Sequence, residues 1–182
     1  MTTFYLVRHA YAEWTPDENR PLSAQGLEDA KLVADVLQTH PVHAIYSSPE
    51  RRAYQTISPL AERMGIKIEI EANLRERMLG NEVFEDFFGA VEVNWQNPTF
   101  AHPGGESSID AQRRGLALVK RLQDKDSNEE IVLSTHGNLM ALILQAFDPT
   151  IDFSFWKSLT MPDVYALIIG QTGTVKFRRL WK

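Results

Sequence analysis

The chain has no cysteine, so neither a disulfide nor a thiolate metal site can be built from it. That suits a reducing compartment, and the cytoplasm is the expected location. No apolar run approaches the roughly 20 residues a bilayer span requires. The opening MTTFYLVRHA is too short in apolar residues, and lacks the basic flank, for a secretory signal. No membrane association is expected. Basic residues are outnumbered, with 19 Lys and Arg against 24 Asp and Glu and a net charge of -5. The pairs Arg51-Arg52, Arg113-Arg114 and Arg178-Arg179 are dispersed rather than gathered into a tract. Nucleic-acid binding, which depends on clustered excess cations, is therefore not expected. Repeats, linkers and low-complexity tracts are also missing. With 43% hydrophobic residues, nine Phe and four Trp among 182 residues, the composition predicts a single domain over residues 1–182 with a sizeable core.

What is present is an alternation of short apolar strands with helical patterns. Phe4–Val7 does not alternate in polarity and reads as a strand buried on both faces, ending in Arg8-His9. Ser23 is placed to cap a helix whose core face carries Leu27, Ala30, Ala34 and Leu37, with Pro41 after its end. Ala44–Tyr46 is a second strand, leading through Ser47-Ser48-Pro49 into a helix from Arg51 to Met64, interrupted near Pro59 and stopped by Gly65. Lys67–Ile70 reads as a third strand. Residues 74–105 are irregular and aromatic-rich (Phe84, Phe87, Phe88, Trp95, Phe100) and are expected to form short helices over one end of the sheet, as a lid. Ser107 opens a further helix with Ile109, Leu116, Val119 and Leu122 on its core face. The strand Ile131–Leu133 and a helix through Leu139, Leu142, Ile143 and Ala146 follow. Val164–Ile169 and Val175–Leu180 flank Gly170–Gly173 and predict a hairpin on a sheet edge. The fold class implied is three-layer α/β/α with a mostly parallel central sheet.

Ligands of open α/β sheets bind at the carboxyl ends of the strands, and three of these strands end in chemistry. Arg8-His9 follows the first, Ser47-Ser48-Pro49 and then Arg51-Arg52 follow the second, and Ser134-Thr135-His136-Gly137-Asn138 follows Leu133. Taken singly, each is ordinarily a surface or capping residue. Their convergence on one rim points to an anion. Phosphoryl transfer needs positioning and charge stabilisation over three equatorial oxygens; arginine forks match those oxygens. Backbone N–H groups of the helix starting at Gly137-Asn138 are expected to complete the pocket without a metal. A neutral imidazole, its second nitrogen held by a carbonyl, is a competent nucleophile near neutral pH.

Arg8-His9, the stretch Ser47–Thr56, Leu74-Arg75-Glu76-Arg77, Pro103–Ser107 and His136-Gly137-Asn138 resemble, in order and across nearly the whole chain, the histidine phosphatase superfamily, also called phosphoglycerate mutase-like. The resemblance implies that His9 becomes a phosphohistidine and that Arg8, Arg52 and His136 grip the phosphoryl oxygens. Arg52 rather than Arg51 fits the Arg-Ala-x-x-Thr pattern. Glu76 matches the proton donor, and an adjacent phosphate dianion favours its protonated form. Many members carry Gly-Glu after Arg-His and an Asn further on; here Ala10-Tyr11 and Thr15 stand instead. Thr15 is expected to donate one hydrogen bond to phosphate in place of the Asn.

The function implied is hydrolysis of small phosphomonoesters, with a small phosphorylated metabolite as partner and no cofactor. Three alternatives stand beside it: phosphoglycerate mutase-type transfer, a protein phosphohistidine phosphatase, and a catalytically silent phosphoester-binding module. The segment Arg8–Ser23 is similar to the small phosphohistidine phosphatases, but Glu76 and the aromatic segment favour a small ester. His40 and His43 read as structural and His102 as an exposed loop histidine, approach to the pocket being the alternative. The substrate and the oligomeric state are not encoded in any motif.

Overall fold

A computed structural model describes all 182 residues. Its six strands are β1 (Thr2–Arg8), β2 (Val42–Ser47), β3 (Ile68–Ile70), β4 (Glu130–Thr135), β5 (Asp163–Ile169) and β6 (Val175–Arg179). They form one sheet in the order β3-β2-β4-β1-β5-β6. The first four are parallel, while β5 runs antiparallel to β1 and β6 antiparallel to β5 as the expected edge hairpin.

The helices are α1 (Ala24–Leu37), α2 (Arg51–Met64), α3 (Phe87–Gln96), α4 (Ser108–Lys125), α5 (Gly137–Gln145) and α6 (Phe153–Ser158), with a 3₁₀ turn at Ala72–Leu74. Two cores result, one on each face of the sheet. Phe4, Leu6, Ile131 and Leu133 pack with α4 and α5, whereas Tyr5, Val7, Ile45 and Val132 pack with α1 and α2. The pleat of β1 and β4 thus feeds both layers, which is why their sequences are apolar without alternation. α5 lies under this arrangement with every residue from Gly137 to Leu144 buried.

Local signals explain the boundaries. The Ser23 hydroxyl accepts the Gly26 N–H at 3.0 Å, and Ser107 accepts the Asp110 N–H at 3.2 Å, each capping a helix start. Gly65 ends α2 at φ 67°, a left-handed conformation natural to glycine. The structure departs from three expectations. Leu27 is exposed, and the core face of α1 is instead Gly26, Ala30, Val33, Ala34 and Leu37. Pro59 does not interrupt α2, which runs unbroken because Ala53, Thr56, Ile57, Leu60 and Ala61 bury one continuous face against the sheet. That burial outweighs the bond a proline forfeits. α6 was not foreseen, its six residues being too few for a period to show.

Candidate active site

Strand register assembles the site. β1 and β4 pair with Arg8 opposite Thr135, so the next residues, His9 and His136, leave the sheet side by side. Ser47 pairs with Ser134, which brings Ser48 and the start of α2 alongside. The three carboxyl ends surround a cavity of about 340 Å³ lined by Arg8, His9, Arg52, Glu76, His136 and Asn138, among others.

His9 is buried, and its Nδ1 lies 2.7 Å from the Ala10 carbonyl. An oxygen acceptor there fixes the proton on Nδ1 and leaves the Nε2 lone pair free. That nitrogen accepts from Arg52 Nε at 3.3 Å. The loop is held by Thr56, whose Oγ1 accepts the Ala10 N–H at 2.9 Å and donates to the Arg52 carbonyl at 2.7 Å. The final Thr of the Arg-Ala-x-x-Thr pattern therefore ties the loop after His9 to the helix that carries the guanidinium. Burial, helped by the neighbouring His136 ring and the Arg52 guanidinium, holds His9 well below the usual imidazole value, against the opposing Ala10 bond.

His136 stands edge-on to His9, with ring centroids 5.1 Å apart. Its Nε2 is 2.8 Å from Ser48 Oγ and 3.2 Å from Glu50 Oε2, and Ser48 also donates to Glu50. These acceptors place the proton on Nε2, so Nδ1 receives Arg52 Nη2 at 3.3 Å. One guanidinium thus bridges both imidazoles. Burial lowers the His136 value as well, partly offset by Glu50. Burial pushes Glu50 up, but the hydrogen bonds from His136 and Ser48 outweigh it and hold its carboxyl at about 2. Ser48 and Glu50 lie inside a stretch that the sequence singled out without giving either a role.

Arg8 donates Nη1 to the Leu159 carbonyl at 2.8 Å and keeps a buried Nε without a partner. A Cβ at position 137 would come within 2.9 Å of that Nε, so the close approach of the arginine to the start of α5 requires glycine. The N-terminus of α5 does bind an anion, but the anion is Glu76. Asn138 and Leu139 N–H donate to its two oxygens, each at 2.9 Å, and the Arg77 N–H adds a third bond at 2.8 Å. This corrects the expectation that Gly137-Asn138 would present its helix N–H groups to phosphate: those of Asn138 and Leu139 are taken by the carboxylate. The Asn138 side chain faces the cavity and accepts from Trp95 Nε1 at 3.1 Å.

Thr15 is a second correction. It is exposed and does not line the cavity; Tyr11, Trp14 and Arg20 of the same loop do. A residue offset counted along an irregular loop does not predict which side chain turns inward. Residues 74–105 contribute Glu76, Arg77, Leu79, Phe87 and Val91 to the cavity, with α3 as their one helix. The aromatics there are only partly core, since Phe87, Phe88 and Phe100 are exposed. His102 does not reach the cavity: its Nε2 lies 2.9 Å from the Ala90 carbonyl and its ring packs on Phe84 and Phe100. His40 bonds Tyr5 at 2.8 Å, away from the site.

Two buried neutral imidazoles joined by an arginine at the carboxyl ends of a parallel sheet, with a second arginine and a carboxylate adjoining, define a phosphoryl-transfer pocket of the histidine-nucleophile type. Comparison with known proteins agrees: the sequence model of the histidine phosphatase superfamily (branch 1) matches residues 4–178, and the chain belongs to that family. Phosphoserine phosphatase 1 of Hydrogenobacter thermophilus is 31% identical over 153 residues, covering 75% of this chain and 71% of its own. Glucosyl-3-phosphoglycerate phosphatase of Mycolicibacterium vanbaalenii is 33% identical over 162 residues, covering 78% and 72%. Among solved structures, the mycobacterial glucosyl-3-phosphoglycerate phosphatase complexed with inorganic phosphate superposes with a TM-score of 0.79 at 26% identity, covering 97% of this chain and 94% of that one. The chain is accordingly a phosphoric monoester hydrolase by family.

Proposed function

We propose that the protein hydrolyses small phosphomonoesters through a phosphohistidine on His9. The observation that carries this reading is the state of His9: Nδ1 tied to a carbonyl at 2.7 Å, Nε2 unprotonated and facing the Arg52–His136 pair. On substrate entry the long Arg52 bonds to the imidazoles are exchanged for charge-assisted bonds to phosphoryl oxygens, which Arg8 also reaches. Nε2 attacks phosphorus, the P–O ester bond breaks, and the leaving alkoxide takes a proton from Glu76 acting as general acid. Water then attacks the phosphohistidine, its proton passes to the Glu76 carboxylate, the N–P electron pair returns to Nε2, and inorganic phosphate leaves. For the first step one Glu76 oxygen must turn from the start of α5 towards the ester. Residues 74–105, which bring Glu76, act as the lid. The lack of cysteine supports a cytoplasmic setting.

The test is a panel of phosphate esters with released phosphate measured, alongside a search for an acid-labile, base-stable phosphoenzyme. His9→Ala is expected to lose the phosphoenzyme and at least about 10³-fold in kcat. Full activity in that variant would refute the assignment. Isomerised phosphoester formed without phosphate release would instead establish a mutase.

A further inference from the structure

Arg8 grips the phosphoryl group in the scheme above, yet little holds Arg8 itself. Its buried Nε has no partner, and its Nη1 reaches the Leu159 carbonyl at 2.8 Å and the Thr160 carbonyl at 3.5 Å. Both acceptors belong to the loop that joins α6 to β5, whose Met161 borders the cavity. The direction of Arg8 is therefore set by whatever fixes residues 159–162.

The fixing point lies outside the cavity. Asp163, the first residue of β5, stands opposite Arg8 in the register of β1 and β5 and is wholly buried. Its Oδ2 accepts the Thr160 N–H at 2.9 Å, and its Oδ1 accepts the Val164 N–H at 2.9 Å. Arg179, the last residue of β6, forks onto both oxygens, with Nε to Oδ1 at 2.9 Å and Nη2 to Oδ2 at 3.0 Å. Nη2 also donates to Thr160 Oγ1 at 2.9 Å, and that hydroxyl donates to the Pro162 carbonyl at 2.6 Å. Charge acts along the same line. Burial lowers the Arg8 value, and Glu76 and then Asp163 oppose it, so the Asp163 carboxylate attracts Arg8 across the strand pair. A carboxylate this deeply buried needs a cation of its own, and the fork from Arg179 supplies one.

We propose that Arg179 is a positioning residue for the phosphoryl pocket: by neutralising Asp163 and holding Thr160, it leaves Arg8 aimed at phosphate. This rests on the phosphatase reading, which gives Arg8 its role, and adds to it a residue that does not line the cavity. In Arg179→Met the buried carboxylate loses its fork and competes with phosphate for Arg8. Adding Asp163→Asn to that variant removes the competing charge and keeps an amide oxygen for the Thr160 N–H. A bond that merely closed the edge hairpin would not distinguish the two variants, since both lose the fork.

The experiment measures the dissociation constant of inorganic phosphate by calorimetry and kcat/KM on 4-nitrophenyl phosphate. Arg179→Met is expected to weaken phosphate binding and to lower kcat/KM by about tenfold each. The Asp163→Asn/Arg179→Met double variant is expected to return to within about threefold of the parent on both. Arg178→Met, which removes the same charge from an exposed position on the same strand, should match the parent. Parent-like phosphate affinity in Arg179→Met, a double variant no better than the single one, or an equal loss in Arg178→Met would each overturn the positioning role. If Arg179→Met does not fold, Arg179→Gln takes its place: its amide still donates to Asp163 without charge, the same loss is expected, and parent-like affinity overturns the role. Ester hydrolysis by the parent with no loss in these variants defeats the positioning role alone. A parent that hydrolyses no ester defeats the phosphatase reading instead, and the phosphate affinities then decide the role of Arg179 without turnover.

Discussion

His9 and His136 are held in their neutral forms by burial, and this has two measurable consequences. Both imidazoles lie below their ordinary value of 6.5, so the unfolded chain binds more protons than the folded one at mildly acidic pH. Their stability contribution is complete above about pH 6.5 and is lost as pH falls towards the folded values. Glu50, at about 2 against an ordinary 4.5, adds a further loss as pH falls through that lower window. Melting temperature is therefore expected to decline steadily from pH 7 to pH 4, and the His9 and His136 ring resonances to remain those of neutral imidazole at pH 6.5. A melting point that rises on acidification over that range would contradict the assigned charge states. Glu76 carries the second residue-scale prediction: Glu76→Gln should lose more activity on alkyl esters, with poor leaving groups, than on an activated aryl ester. Equal losses on both would remove it as the acid. At this scale the sequence was legible for Arg8, His9, Arg52 and His136, because each follows a strand or opens a helix directly. It was not legible for Glu50, whose contact with His136 depends on which side chains are buried around it, and it misled for Thr15.

Among the elements, the irregular segment before α4 shows how a stretch without periodicity is nevertheless fixed. Glu106 N–H donates to the Met78 carbonyl at 2.7 Å and Asn81 N–H to Pro103 at 3.2 Å, so the chain after Glu76 is clamped against the Gly104-Gly105 turn. A Cβ at Gly105 would lie 2.3 Å from the Leu79 carbonyl oxygen, a backbone atom that cannot rotate away. Gly105→Ala is therefore expected to cost about 1–3 kcal/mol in chemical denaturation, by analogy with overpacking elsewhere, and to lower kcat through displaced Glu76. Gly65→Ala, with open space around its Cβ and only a positive φ to strain it, is expected to cost about 1 kcal/mol and leave kcat unaltered. Comparable activity losses in the two variants would contradict this placement. The sequence showed the helix start at Ser107 here, but not the partner strand of backbone, since hydrogen bonding between two loops leaves no period to read. Regular elements were legible because hydrophobic spacing and caps act within a few residues.

Viewed whole, the molecule is acidic while its crevice is basic. The net charge is -5, yet Arg8, Arg20, Arg52 and Arg77 converge on a single cavity, with only Glu76 among its lining residues to oppose them. The sheet order makes this possible: β2, β4 and β1 are adjacent, so cations distant in sequence meet at one end of the sheet. Folding must therefore hold like charges together, and an oxyanion in the crevice relieves that repulsion at the centre of both cores, through β1 and β4. Phosphate should accordingly stabilise the entire domain rather than a loop. At a concentration 100 times its dissociation constant a ligand specific to the folded state adds about 2.7 kcal/mol, which for a chain of this size raises the melting temperature by roughly 5–10 °C. Chloride at matched ionic strength should not reproduce the shift, because a single halide cannot engage several guanidinium forks at once. In Arg52→Gln the response to phosphate should fall to the chloride level while the unliganded melting point stays level or rises, as one repulsive centre is gone. If phosphate and chloride raised the parent's melting point equally, the crevice would be an ordinary screened surface, and the convergence of arginines would have no oxyanion to answer to.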